Sequence, residues 1–282
     1  MAESQDLFHY TEQLHSDLDA AISPSRLAPY LMAVGGSDRD MAMKLYLWNA
    51  RIAKSFLYPL HVAEVITRNA IHEAFSRSFG GPGWMNPVSG HLDNRLNIQP
   101  QAAIQKAIGR LAANGNIHPS PDDIVAALTF DFWSNLFRRD YSWLWPLPDP
   151  VSGKSILKTV FPNLPAGKGR GYVKDRVAAI NDFRNRIAHH EPVHYRHINH
   201  KQVHDGVLEF IGFRCASTRE WVARHSTVPA VTRTVPTPEA YLPGKLLTTF
   251  KFVAPTILSS GDTLASALTA VRAARPPLAL IP

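Results

Sequence analysis

Through residue 225 the apolar positions recur at three- and four-residue intervals, and short Gly, Pro and Asn clusters punctuate them, so the pattern predicts helices and little strand. Leu7, Leu14 and Leu18 mark a helix over 5–20. Ser23-Pro24 reads as an N-cap followed by proline at the first helical position, and Gly35-Gly36 ends that element. Ser37 or Asp38 is placed to cap the next helix, MAMKLYLWNARIAKSF. Pro59 is expected to kink or interrupt it before LHVAEVITRNAIHEAFSRSF carries on to Gly80-Gly81. GPGWMNPVSG is loop, and a short helix over 101–113 ends at Asn114-Gly115. Ser120-Pro121-Asp122-Asp123 is a strong helix start, with acids where the dipole favours them, and leads into IVAALTFDFWSNLFRR. WLWPLPDP and GKGRG are loops. A long helix over about 172–190 stops near Pro192, and another covers about 197–224.

The pattern changes after residue 225. Eight of the 22 prolines fall in 226–282, where the acids are only Glu239 and Asp262. The expected organisation is an all-α domain over 1–225 and a C-terminal extension over 226–282 of unassigned role. Within the extension, TPEAYLPGKLLTTFKFVAPTI suits a strand or short helix and TLASALTAVRAA a helix.

Composition adds exclusions. The 282 residues are 45% hydrophobic and 19% charged, ordinary for a globular protein. A single cysteine, Cys215, rules out an internal disulfide framework and a Cys-rich zinc module, and it fits a reducing compartment. No apolar run reaches the ~18–20 residues of a membrane span. The N-terminal stretch carries early acids and no apolar core, unlike a secretory signal, so a cytoplasmic location is expected. The net charge is +7 and is concentrated: residues 151–225 hold 13 Lys/Arg against 6 Asp/Glu, with seven of the thirteen histidines. A local basic excess attracts polyanions such as nucleic acid, and equally describes a solvated basic surface.

The segment Asp182-Phe183-Arg184-Asn185-Arg186-Ile187-Ala188-His189-His190-Glu191-Pro192 carries the candidate chemistry. On a helix, Asn185 and His189 lie about 40° apart, with Arg184 about 140° from His189. An imidazole moves protons at neutral pH and a guanidinium holds a phosphate and its developing charge, so the pair is suited to cleaving RNA through its ribose 2′-hydroxyl without a metal. Cations at a helix C-terminus are also favoured by the macrodipole alone.

Competing patterns fall short. His190-Glu191-Pro192-Val193-His194 matches the H-E-x-x-H zinc motif, but Pro192 would sit inside the helix that motif requires, at a cost of ~3 kcal/mol. His197, His200 and His204 follow helical spacing without a cysteine or an evident fourth ligand. Ser152-Gly153-Lys154-Ser155 ends like a phosphate-binding loop but has Pro148 at the first glycine position and no preceding strand. After Pro59, His61, Glu64, Arg68 and His72 form a polar stripe on an otherwise apolar helix. Glu64 and Arg68 are expected to pair with each other or with a partner stripe.

With these residues in view the chain resembles the Abi-like (abortive infection) proteins of the HEPN superfamily, whose hallmark is Arg, a polar residue, three variable residues and His. Phe183 to Pro192 looks like that signature. Tyr46-x-Trp48-Asn49 and Pro59-Leu60-x-x-x-Glu64-Val65-x-x-Arg68-Asn69-Ala70-Ile71-His72 look like the family's N-terminal half. Leu128-Thr129-Phe130-Asp131-Phe132-Trp133-x-Asn135-Leu136-Phe137 looks like its middle block. The resemblance spans roughly 40–215, with the blocks in order, and departs from the family after about residue 210.

The resemblance implies a HEPN-type helical bundle with additional N-terminal helices and the activity of a metal-independent endoribonuclease of defence or toxin type. It needs no cofactor and acts on RNA as a homodimer; the sequence does not show whether an antitoxin or regulatory partner exists. Carried over, Arg184 binds phosphate, His189 transfers the proton and Asn185 orients the site, with His190 the rival of His189. Arg68, Asn69 and Arg186 are the expected substrate contacts. The alternative is a non-catalytic HEPN module that binds RNA or a protein partner. A zinc protein using the histidines of 189–204 is a third option.

Overall fold

In a computed structural model that describes residues 10–85, 92, 95–96, 98–195 and 197–236, the chain is predominantly helical, and no β-strand occurs among those residues. Eleven helices follow in order: α1 Glu12–Ile22, α2 Pro24–Ala33, α3 Arg39–Ser78, α4 Ile98–Ala113, α5 Pro121–Ala127, α6 Phe130–Asn135, α7 Ile156–Val160, α8 Arg170–Ala188, α9 His200–Arg214, α10 Ala216–His225 and α11 Val228–Thr232. The described residues belong to one compact unit, which ends at Pro236. The segments read from sequence as strand or helix within 237–282, Leu7 of the first predicted helix and residues 86–90 of GPGWMNPVSG lie outside the described residues.

Helix α3 is the spine. Forty residues long, it packs against α2, α6, α7, α8, α9 and α11. Asp38 caps it, its carboxylate accepting from the Met41 amide at 2.8 Å. The helix runs through Pro59 rather than being interrupted there. A proline inside a helix costs ~3 kcal/mol, but Ile52, Phe56, Leu60 and Ala63 beside it are buried, and each large apolar side chain returns roughly 1.5–3 kcal/mol. The core extends from this stripe through Ile71 and Phe75 to Trp133, Phe137, Trp145, Phe161 and Phe210.

Two predicted helices are each split. The segment after Ser120 breaks at Leu128-Thr129, where both residues are extended, into α5 and α6. On one continuous helix Leu128 and Phe130 would point about 160° apart. The break lets Val125, Leu128, Phe130, Phe132 and Trp133 all reach the core. Ser120 and Asp123 form the capping box that starts α5. The second split is at Cys215, extended at φ −154°, which separates α9 from α10. Residues 226–236 carry α11, and the Trp48 indole of α3 donates to the Val231 carbonyl at 3.0 Å.

Candidate functional site

The site is built on the C-terminal half of α8. Val173, Val177, Ile180, Phe183 and Ile187 are buried along one stripe, with Phe183 edge-on to Phe56 of α3. Fixing that stripe puts Asn181, Arg184 and Asn185 on the flank facing α3 and α6. There they form one polar network. Arg184 Nε lies 3.8 Å from the Glu64 carboxylate of α3, and its Nη1 donates to Asn185 Oδ1 at 3.1 Å. Asn185 Nδ2 donates to Asp131 Oδ1 of α6 at 3.3 Å, and Asn181 Nδ2 donates to the same oxygen at 2.6 Å. Glu64 therefore finds its partner on another helix, at the hallmark arginine. The Arg184 side chain is 34% exposed, so the guanidinium is oriented by protein yet open to solvent.

The helix ends one residue before His189. The His190 amide donates to the Ile187 carbonyl at 3.0 Å and the Glu191 amide to the Arg186 carbonyl at 2.8 Å, a Schellman pair of bonds. His190 occupies the position that favours glycine, at φ 55°. Where this motif commonly carries an apolar contact, Arg186 and Glu191 form an ion pair at 3.5 Å, and Pro192 then blocks further helix. His189 and His190 are both exposed, and neither ring has a partner among the described residues. The structure thus gathers Arg184, Asn185 and His189 on the last turns of one helix. Arg186, about 160° from Arg184 around the helix, is held by Glu191 and lies 6.0 Å above the Tyr195 ring.

The chain beyond Pro192 is tied down. The buried Val193 amide donates to Asn49 Oδ1 of α3 at 2.7 Å, and the Val193 carbonyl accepts from a His200 ring nitrogen at 2.8 Å. His194 lies against Tyr30, with ring centroids 4.5 Å apart, and neither ring nitrogen has a partner. Burial, then the neighbouring His200, pushes its pKa down to about 4. The Tyr46-x-Trp48-Asn49 block thus has a structural part to play: Tyr46 packs edge-on to Tyr30, Trp48 reaches α11, and Asn49 clamps the segment that follows the motif.

Arg68 and Asn69 sit differently. Arg68 Nη1 donates to the Ala126 carbonyl at 3.5 Å, and Arg110 donates to the Ala127 carbonyl, so two guanidinium groups close the last turn of α5. The Arg68 Nε is buried without a partner, and Asn69 is exposed. His72 accepts the Trp84 indole N–H at 3.0 Å and lies 3.6 Å from Asp122. Burial lowers its pKa, against the opposing pull of Asp122.

Several cations of 151–225 are paired in space, but only Glu64 and Glu73 reach in from outside that region, so these pairs offset a small part of its basic excess. Arg176 pairs with Glu209, Arg214 with Glu73, Lys201 with Asp205 and Arg224 with Glu220, besides the pairs of Arg184 and Arg186. His190-Glu191-Pro192-Val193-His194 follows the end of α8 instead of lying on one helix turn. His200 and His204 are engaged with Val193 and Ser226. Among the described residues no group of three or more His, Cys, Asp or Glu is arranged to hold a metal ion, and no helix is long and apolar enough to cross a membrane. Sequence reasoning left Asp131, Asn181 and Asn49 without roles. The legible signal for Asn181 was its place one turn before Asn185. No family model, curated protein or solved structure matches the chain.

Proposed function

We propose that the chain is an Abi-like protein of HEPN type and a metal-independent endoribonuclease of defence or toxin class, working in the cytoplasm as a homodimer on RNA. The observation that carries this reading is the end of α8. An oriented guanidinium, Arg184, and an unengaged imidazole, His189, both reach solvent within about one and a half turns of each other.

In this reading His189 removes the proton of the ribose 2′-hydroxyl, and that oxygen attacks the adjacent phosphorus. Charge building on the non-bridging oxygens is met by Arg184. The 5′-oxygen leaves as the P–O bond breaks and takes a proton from a second imidazole, either His190 or one supplied by a second copy of the chain. The products are a 2′,3′-cyclic phosphate and a 5′-hydroxyl. Positioned proton transfer contributes ~10²–10⁴-fold, and a fixed charge at the developing oxyanion ~10²–10³-fold. The Glu64 carboxylate sits too far from Arg184 for a short hydrogen bond, so it orients the guanidinium while leaving donors for phosphate.

The second reading is a non-catalytic module binding RNA or a protein; Glu64 and Asp131, which both oppose a phosphate at this site, favour its protein-binding form. Induced expression separates the two. Wild-type protein is expected to arrest growth with RNA fragmentation, and His189→Ala and Arg184→Ala are expected to relieve both. His189→Ala cleaving at the wild-type rate ends the nuclease assignment. Salt-sensitive RNA binding with no cleavage by any variant establishes the second reading.

A further inference from the structure

Asp131 faces two ways. Its Oδ1 holds Asn181 and Asn185 of the candidate site, while its Oδ2 has no partner among the described residues. The residue also lines a cavity of about 110 Å³ where α4, α6 and the 3-10 turn at Arg139–Tyr141 meet. The floor is apolar, with Phe132, Tyr141 and Pro100 buried. The rim carries Thr129, Asn135, Arg138 and Asp140, and none of these side chains is engaged within the described protein.

The charge on this rim decides what enters. Asp131 and Asp140 outnumber Arg138, so a phosphate is repelled. A planar ligand offering N–H donors to a carboxylate and acceptors to a guanidinium is favoured. Unstacked bases in RNA are recognised in this way, with an apolar surface against the ring and polar groups on its edges. Among the four bases, guanine alone places two adjacent N–H donors (N1–H and the 2-amino group) opposite a carboxylate while presenting O6 and N7 to an arginine.

We propose that this cavity is a guanine-binding subsite for the nucleotide next to the scissile phosphate, joined to the catalytic turn through Asp131. In this assignment Asp140 accepts from N1–H and the 2-amino group, Arg138 donates to O6 and N7, and Asn135 supplements the edge contacts. The placement beside the scissile bond rests on the nuclease reading; the preference for guanine rests on the cavity itself.

The experiment has two arms on the full chain. Calorimetric titration with GMP, AMP, CMP and UMP is expected to show GMP binding at least about tenfold tighter than the others. Asp140→Asn, which turns one acceptor into a donor, and Arg138→Ala are each expected to remove that preference. Both side chains are exposed, so circular dichroism should match wild type. Equal binding of all four nucleotides, no detectable GMP binding, or a preference untouched by both substitutions overturns the proposal. The second arm maps RNA cleavage sites. Cuts beside guanosine that spread to other bases in Asp140→Asn support it, and cuts without base preference in wild type sink the subsite while the nuclease stands. GMP selectivity in a protein that cleaves no RNA keeps the base pocket and removes the nuclease.

Discussion

The dipeptide Arg-Asn occurs twice in this molecule's core helices, at Arg68-Asn69 and at Arg184-Asn185, and the two copies have different fates. The first lies mid-way along a forty-residue helix, with one guanidinium nitrogen buried and unpaired and another on a carbonyl that ends α5. The second lies one turn from a helix end, with its arginine backed by Glu64, its asparagine tied to Asp131, and an unengaged histidine following. The same residues thus serve packing in one place and present charge to solvent in the other. Position relative to a helix end separates the two roles.

The largest effect that would break this comparison is on activity. Arg184→Ala and His189→Ala are each expected to lower RNA cleavage by about 10³-fold, within the range for oxyanion and proton-transfer groups. Both side chains are solvent-accessible, so thermal unfolding should shift by only a few degrees. Arg68→Ala should do the reverse, losing roughly 1 kcal/mol in a urea titration with cleavage retained. Loss of cleavage in Arg68→Ala at wild-type stability would place both dipeptides in one active cleft.

Anchoring of the post-motif segment is next. Asn49→Leu leaves the buried Val193 amide without its acceptor and should cost about 1–3 kcal/mol by denaturant titration. An unchanged midpoint would show that the clamp contributes nothing.

His194 gives a pH dependence. Its folded pKa, about 4, is below the unfolded value near 6.5. Between those values the unfolded chain binds more protons, so stability is full above about pH 6.5 and falls as pH drops toward 4. His194→Phe should therefore gain stability over wild type at pH 5 relative to pH 7.5. An equal difference at both pH values would contradict the burial of a neutral ring.

The smallest effect expected is at His190. His190→Gly relieves a left-handed conformation and should add up to about 1 kcal/mol. If cleavage survives in His190→Gly and disappears in His189→Ala, His189 is the required base. The opposite result assigns that role to His190.

Local signals were legible wherever one residue acts on its own backbone. Asp38 and Ser120 cap the helices they were expected to start, Gly35-Gly36 follows α2, and the long helix stops before Pro192. Elements set by tertiary burial were not legible. Pro59 reads as a break until the apolar side chains around it are seen to be buried, and 121–139 reads as one helix until Leu128 and Phe130 must both face inward. The same division runs through the site. The last turns of α8, with Arg184, Asn185 and His189, were readable from spacing within one segment. The Glu64 and Asp131 carboxylates and the Asn49 clamp lie 50 to 144 residues away from their partners, and no local pattern encodes those pairings.

The most direct test of the account is end-group analysis of RNA incubated with purified protein in EDTA. The account predicts fragments bearing 2′,3′-cyclic phosphate and 5′-hydroxyl ends with wild type, and intact RNA with His189→Ala. Fragments with 5′-phosphate ends, or cleavage abolished by EDTA and unaffected by His189→Ala, would contradict it.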